Sequence, residues 1–410
     1  MNICLVSQEY PPETAHGGIG TQNWNKARSL VGLGHTVHVL SCSAHKSYQC
    51  RTEDNEGVIM HRMPPPEQDT PINAAPVYWL AYSWSVLRYL RRLMQSVCFD
   101  VIDFAEYGAE GFAYQLDRSL SDWVPVAVQL HGPLALLAER IGWPEKDTDF
   151  FRVGTFMEGL SIKRADAIMA CSANIADFTS AFYGVPREEI DIVHCGVDTA
   201  SFHPPVDSGR NNRNATVLFV GNITQNKGVH AVLEAVLRLR NKYPGIRLQI
   251  AGRAEDDQAE ILKRQARQSG AASNVELLGF MGREQVADLY RHADVFCSPA
   301  QHESGVANVY IEAMASGCPV IACTTGGAPE AVVDGKTGIL VPPMDVEATA
   351  AAIERILGNP SLRRRLSLAA RRRVDEYFAM NHYIRRVLAT YEKAISSSRR
   401  KLEHLRPGQE

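Results

Sequence analysis

ADVFCSPAQHESGVANVYIEAMASGCPVIACTT, residues 293–325, is the stretch on which the fold turns. ADVFCSP (293–299) is a short apolar run closed by proline, and AQHESG is a polar loop. NVYIEAMASG has apolar residues at helical spacing and a stop at Gly317, and CPVIACTT (318–325) is a second apolar run. That is strand, loop, helix, strand, the unit of a parallel sheet. Asn308 is the expected N-cap, and the small residues Ser304, Gly305 and Ala307 leave room for a ligand against the backbone. Glu303 and Glu312 would lie on opposite faces of one continuous helix. They serve a single ligand only if Glu303 sits in the loop and Glu312 near the first turn of the helix behind it. Glu312 suits the helix dipole in any case, whereas Glu303 has no such structural reason to be there.

The same alternation runs outward in both directions. Toward the N-terminus, 2–7, 35–42, 100–105, 125–132, 166–173 and 190–195 read as buried strands; toward the C-terminus, 216–222, 247–253, 274–280, 293–299, 318–325 and 338–343 do so. Between the first two, TQNWNKARSLVGLGH carries a helical pattern. Strands alternating with helices in this way predict an α/β fold with parallel sheets covered on both faces. The non-periodic segment FHPPVDSGRNNRNA (202–215) has the composition of a linker. The expectation is therefore two doubly wound, Rossmann-like domains, 1–203 and 204–375, facing a deep interdomain cleft. A terminal helix over 376–396 and a polar tail over 397–410 complete the chain. Ligands of such sheets bind beyond the carboxyl ends of the strands, near helix N-termini.

Composition narrows the function. The 410 residues are enough for two ordinary domains, and a net charge of −3 speaks against a nucleic-acid partner. Nine cysteines are scattered without metal-ligand spacing, as in a reduced cytosolic core. The N-terminal MNICLVSQEYPPE has too short an apolar run for a signal peptide, and no stretch approaches a membrane span. The chain is read as cytoplasmic.

Four further places could carry chemistry. In LVSQEYPPETAHGGIGTQNW, Gly17, Gly18 and Gly20 lie between a strand and a helix, where backbone N–H groups can approach an anion. The long, proline-containing loop is unlike a dinucleotide fingerprint. His131, in VQLHGPLALL, ends a strand; a lone histidine there is more often structural than catalytic. In FVGNITQNKGVHAVLEA, Lys227 beside Gly228 opens a helix, a combination suited to a diphosphate. CTTGGAPEAVVDGKTGILVPP places Gly326, Gly327 and Glu330 at another strand-to-helix turn.

GGIG, HG at 131, CGVD with FHP at 195–204, NKG at 226, the glutamate segment, GGAPE at 326 and DGKTGILVPPMD at 334–345 come in one order. Together they resemble the retaining family-4 glycosyltransferases of GT-B fold (glycosyl transferases group 1) along essentially the whole chain. The resemblance implies transfer of a hexose-type sugar from a nucleotide sugar, with an acceptor-binding N-terminal domain and a donor-binding C-terminal one. A UDP-sugar is the first candidate donor, ADP- and GDP-sugars being open; the acceptor would be a sugar, a lipid-linked or a small-molecule hydroxyl. It implies His131 near the transferred sugar, Lys227 on the diphosphate, Glu303 on the sugar hydroxyls and Glu312 on the ribose diol. Gly18 and Gly20 would approach the donor phosphate, and Ser304, Gly305 and Val306 its sugar-phosphate end. No metal is implied, and no cofactor besides the nucleotide sugar.

Two departures stand out. Eight residues separate Glu303 from Glu312, one more than the family's usual spacing, which counted back from Glu312 lands on Ser304. An insertion that a loop absorbs leaves the role with Glu303. Asn222 stands where an arginine commonly joins the lysine; Arg253, in IAGR, is the candidate replacement, and Phe280 the candidate wall of the base pocket. The basic stretches 87–93 and 362–374 read as solvated helix faces, with peripheral membrane contact not expected. Two other classes share this outline. A nucleotide-sugar epimerase would need no acceptor, and a non-catalytic nucleotide-sugar binder would show no turnover.

Overall fold

A computed structural model describes residues 1–14, 17–45, 49–66, 78–119, 123–205, 214–255 and 257–405. The chain divides into two compact units, Met1–His194 with Tyr383–Glu410, and Cys195–His382.

Unit 1 is built on eight strands: β1 (Asn2–Val6), β2 (Thr36–Cys42), β3 (Arg51–Asn55), β4 (Val58–Met63), β5 (Val101–Ala105), β6 (Val126–Leu130), β7 (Ala167–Ala170) and β8 (Ile190–Ile192). Their order is β3-β4-β2-β1-β5-β6-β7-β8. All pair in parallel except β3 with β4. That antiparallel hairpin is absent from the sequence reading, and the reasons are physical. RTEDN is wholly polar and forms the exposed edge, where charge discourages pairing with another chain. β4 hides its polar residues inside: Arg62 is fully buried and donates to Thr14 Oγ1, Ser41 Oγ and the Pro11 carbonyl. The two are joined through Glu56 and Gly57, with φ of 57° and 82°, the left-handed pair a tight hairpin requires.

The terminal helix Met380–Leu405 packs on unit 1 from Tyr383 onward. Tyr391 Oη donates to Asp103 Oδ2 at 2.6 Å, where the buried Lys26 Nζ also ends at 2.6 Å. The helix begins after residue 376 because Val374–Phe378 forms a π turn and Ala379 is extended. It continues past 396, where Ser398 accepts from Trp123 Nε1 and Lys401 reaches Asp166; so 397–405 of the expected tail is helix, and 406–410 lie outside the described residues.

Unit 2 carries β9 (Thr216–Val220), β10 (Arg247–Ala251), β11 (Val275–Gly279), β12 (Val295–Ser298), β13 (Val320–Cys323) and β14 (Ile339–Val341). All are parallel, in the order β11-β10-β9-β12-β13-β14. Val217, Phe219, Leu248, Ile250, Val295 and Ile321 meet helical Val232, Val236 and Ile353 in one buried core. Each such side chain contributes roughly 1.5–3 kcal/mol by leaving water. The unit opens at Cys195, ahead of residue 204. Val197 bridges to Ala379, and buried Phe202 packs on Tyr290, so FHPP belongs to this unit; 206–213 lie outside the described residues. Among the described residues no helix is long and apolar enough to cross a membrane.

Both sheets reverse their strand order beside their first strand, between β1 and β5 in unit 1 and between β9 and β12 in unit 2. Ligands of open α/β sheets bind at such switch points, beyond the carboxyl ends.

Candidate functional site

In unit 2 the two strands flanking the reversal deliver the central pair. After β9 the chain turns through Gln225–Lys227 and enters the helix Val229–Leu239 at Gly228. Gly228 has φ 79°, and a Cβ there would come 2.6 Å from the Pro299 carbonyl oxygen after β12. The two loops therefore press directly on one another. Gln301 N–H donates to the Asn226 carbonyl at 2.8 Å. Across this contact Lys227 Nζ donates to both oxygens of Glu303, each at 2.9 Å. Lys227 is 34 % exposed and the Glu303 side chain 9 %, so the cation is the member of the pair that solutes reach.

The loop after β13 locks Glu303 from the other side. Gly327 N–H donates to the Glu303 carbonyl at 2.7 Å. Gly326 has φ 67°, and a Cβ there would lie 1.8 Å from that same oxygen. Gly327 backs onto Gly305 and Val306 at similarly short range. These contacts aim the Glu303 carboxylate at Lys227; Ser304 follows in the turn.

Glu312 lies elsewhere. The helix Asn308–Ala315 is capped by Ala307 without a side-chain bond, so Asn308 is its first residue and not its cap. Glu312 accordingly falls in the second turn, beyond the first-turn position expected of it. Its carboxyl is pushed above the ordinary range by burial, with the Arg283 guanidinium and Tyr290 opposing. Arg283 opens the helix after β11 and Tyr290 lies on the same helix, so Glu312 faces that helix whereas Glu303 faces Lys227. Asn222 is exposed after Gly221. Its neighbour Ile223 N–H donates to the Arg253 carbonyl at 2.7 Å, and the Arg253 guanidinium stacks 4.7 Å from the ring centre of Phe280. Phe280 itself is 62 % exposed.

In unit 1 the GGIG segment is the first turn of the helix Gly18–Gly32 rather than a loop, with Gly17 as cap. Gly17 and Gly20 lie against Glu9, while nothing approaches Gly18. His131 follows β6. Its imidazole is held neutral, the pKa pushed down to about 3 by burial and the charge of Lys26, and Nδ1 lies 3.9 Å from Cys171 Sγ. The structure adds Glu106, which the sequence reading passed over. Fully buried after β5, it accepts the His131 N–H at 2.7 Å and the Gly132 N–H at 2.6 Å. Glu158 accepts the Leu134 N–H at 2.9 Å. An acid ending an apolar strand, as in DVIDFAEY, was the available signal.

Two parallel α/β sheets, each with its polar residues gathered at a strand-order reversal, define the GT-B architecture. Sucrose-phosphate synthase from Thermosynechococcus elongatus shares it at a TM-score of 0.82 and 21 % identity, covering 97 % of this chain and 99 % of that one. WaaG, a glycosyltransferase involved in lipopolysaccharide biosynthesis, shares it at 0.72 and 18 % identity, over 96 % and 98 %. Residues 205–373 match Glycosyl transferases group 1, and 16–201 match Glycosyltransferase Family 4. Glycogen synthase of Mycobacterium tuberculosis is 30 % identical over 388 residues, 92 % of this chain and 91 % of the relative. D-inositol 3-phosphate glycosyltransferase of Jonesia denitrificans is 27 % identical over 394 residues, 92 % and 91 %. The chain belongs to the group 1 glycosyltransferases.

Proposed function

We propose that this glycosyltransferase moves a hexose-type sugar from a nucleoside diphosphate sugar to an acceptor hydroxyl with retention, a UDP-sugar being the first candidate donor. The observation that carries the reading is the Lys227–Glu303 pair at the unit 2 switch point. A diphosphate leaving group develops negative charge as the glycosidic bond breaks, and a pre-placed ammonium stabilises it in the transition state. A carboxylate accepts two hydroxyl hydrogen bonds at once, which suits a sugar diol beside that diphosphate. Glu312 takes the ribose diol, and Phe280 with Arg253 offers an exposed flat face to the base. Gly305 and Val306 present backbone amides to the sugar-phosphate end. His131 acts at the transferred sugar as a neutral imidazole. Lys227 supplies the charge neutralisation that a metal ion provides elsewhere, so transfer is expected to proceed without one.

The relatives support parts of this. One is named an α-(1→4)-mannosyltransferase, the linkage retention leaves when the donor is α-linked. Structural neighbours are described in complex with UDP and glucose, and with ADP and acarbose. The departing phosphate would then take the acceptor proton on the same face of the sugar.

A thermal-shift panel of UDP-, ADP- and GDP-sugars tests the donor reading. One of them should raise the unfolding midpoint, and Lys227→Ala should abolish the rise; no rise with any donor, or an unchanged one in the variant, overturns it. Product analysis by NMR with the stabilising donor should show a retained anomeric configuration only when acceptor is present. Epimerised donor without acceptor would assign the chain to a different chemistry.

A further inference from the structure

The turn after β6 is held in a way that bears on transfer. From His131 to Leu134, Pro133 has no N–H, and the other three N–H groups all end on buried carboxyls. Glu106 Oε1 accepts from His131 at 2.7 Å and Gly132 at 2.6 Å, and its Oε2 lies 2.7 Å from the same His131 nitrogen. Glu158 Oε2 takes Leu134 and, at 2.9 Å, the Tyr183 hydroxyl. The imidazole of His131 has little else to orient it. Its Nδ1 meets only a thiol at 3.9 Å, and its Nε2 is buried with no hydrogen-bond partner among the described residues. Its direction therefore rests on packing and on the backbone that carries it, with no strong side-chain hydrogen bond among the described residues.

We propose that Glu106 is a positioning residue for glycosyl transfer, fixing the His131–Gly132 backbone and through it the imidazole. The inference rests on the role given to His131 above. A carboxylate offers only acceptors to the two amides, whereas a carboxylic acid or an amide turns one of its two ends into a donor. Burial pushes the Glu106 carboxyl up to about 7 against the pull of those amides. The groups facing it are Tyr107 and Glu110 from the segment after β5, and Glu158 and Tyr183 from the helices Asp149–Lys163 and Ala173–Tyr183. Burial raises all four of these, the Glu110 and Glu158 carboxyls among them, so an acid limb belongs to Glu106 only if Glu106→Gln removes it. His131, already neutral, supplies no titration near pH 7. Turnover is accordingly expected to fall as pH drops through about 7, because the carboxylate that grips the turn is lost.

Glu106→Gln, close in size, tests this. Its kcat at pH 8 should fall about tenfold or more, the scale of a small misplacement of a reacting group. Donor KM should stay within about twofold and the acid limb near pH 7 should disappear. Placed in a His131→Ala background, the same change should cost nothing more, since its effect runs through His131. Hydrogen exchange gives a readout free of donor and acceptor. The His131 and Gly132 amides should exchange about tenfold faster or more in Glu106→Gln while β6 amides keep their protection. Wild-type kcat, losses that multiply in the double variant, or unchanged amide protection would each overturn the proposal. A chain that no nucleotide sugar stabilises would sink the proposed function and leave the exchange result standing.

Discussion

The two sheets solve the same layout with opposite electrostatics. At the unit 2 switch point, charge is paired and partly open: Lys227 meets Glu303 at 2.9 Å and keeps a third of its surface in water. At the unit 1 switch point, the carboxyls are sealed in. Glu106, Glu110 and Glu158 are buried and hold backbone N–H groups, with the Tyr183 hydroxyl also on Glu158. A partly exposed ammonium can take an incoming phosphate as a further partner while it keeps the buried Glu303. A buried carboxylate cannot leave its amides without remaining uncompensated. On the proposed function, unit 2 would offer its pair to a ligand, and unit 1 would keep a turn still.

Lys227→Ala is the largest test of that contrast. With the switch-point cation removed, kcat should drop by about 10²–10³-fold, read by steady-state turnover; a loss confined to donor KM would recast Lys227 as a ground-state contact. Glu303→Gln should cost on the order of 10–100-fold, with Ser304→Ala leaving turnover within about twofold. The reverse ranking would move the sugar-facing position to Ser304. Gly326→Ala strains a left-handed residue against the Glu303 carbonyl. It should lower stability by about 2 kcal/mol or more in chemical denaturation, and a neutral result would mean the β13 loop does not lock Glu303.

Unit 1 has its own weakness, in acid. His38 Nδ1 and His61 Nε2 lie 3.0 Å apart in a buried stack. Burial lowers the pKa of both, that of His61 to about 4 with His38 adding to it. The folded chain then binds fewer protons than the unfolded one below about pH 6.5, so stability is lost as pH falls from there toward 4. Thermal midpoints should decline across that window, and His61→Gln should flatten the decline; an equally steep curve would place the acid-sensitive group elsewhere. The smallest effect belongs to the surface. The Arg238–Glu347 pair is half or more exposed, and Arg238→Ala should change stability by no more than about 0.5 kcal/mol.

Much of this was legible from residues alone. Twelve apolar runs marked strands that the structure contains, and the lysine and glutamate loops fell at strand ends because parallel sheets put them there. β3 was missed because an edge strand needs no apolar face, and RTEDN has none. Asn308 has the residue type of a cap, yet the helix starts on it because Ala307 is already extended. Glu106 gave only a faint signal, since its partners are amides of the turn after β6, distant in sequence.

Periodicity and chain order by themselves determined that there are two parallel α/β sheets and that polar residues collect at their carboxyl ends, because alternation is a local property. Which side chain faces which was decided only in three dimensions. Glu303 points at Lys227 because the loops after β9, β12 and β13 crowd one another to within a carbonyl's radius, and no single loop contains that contact. The same holds for the turn carrying His131, whose amides end on an acid that follows the neighbouring strand.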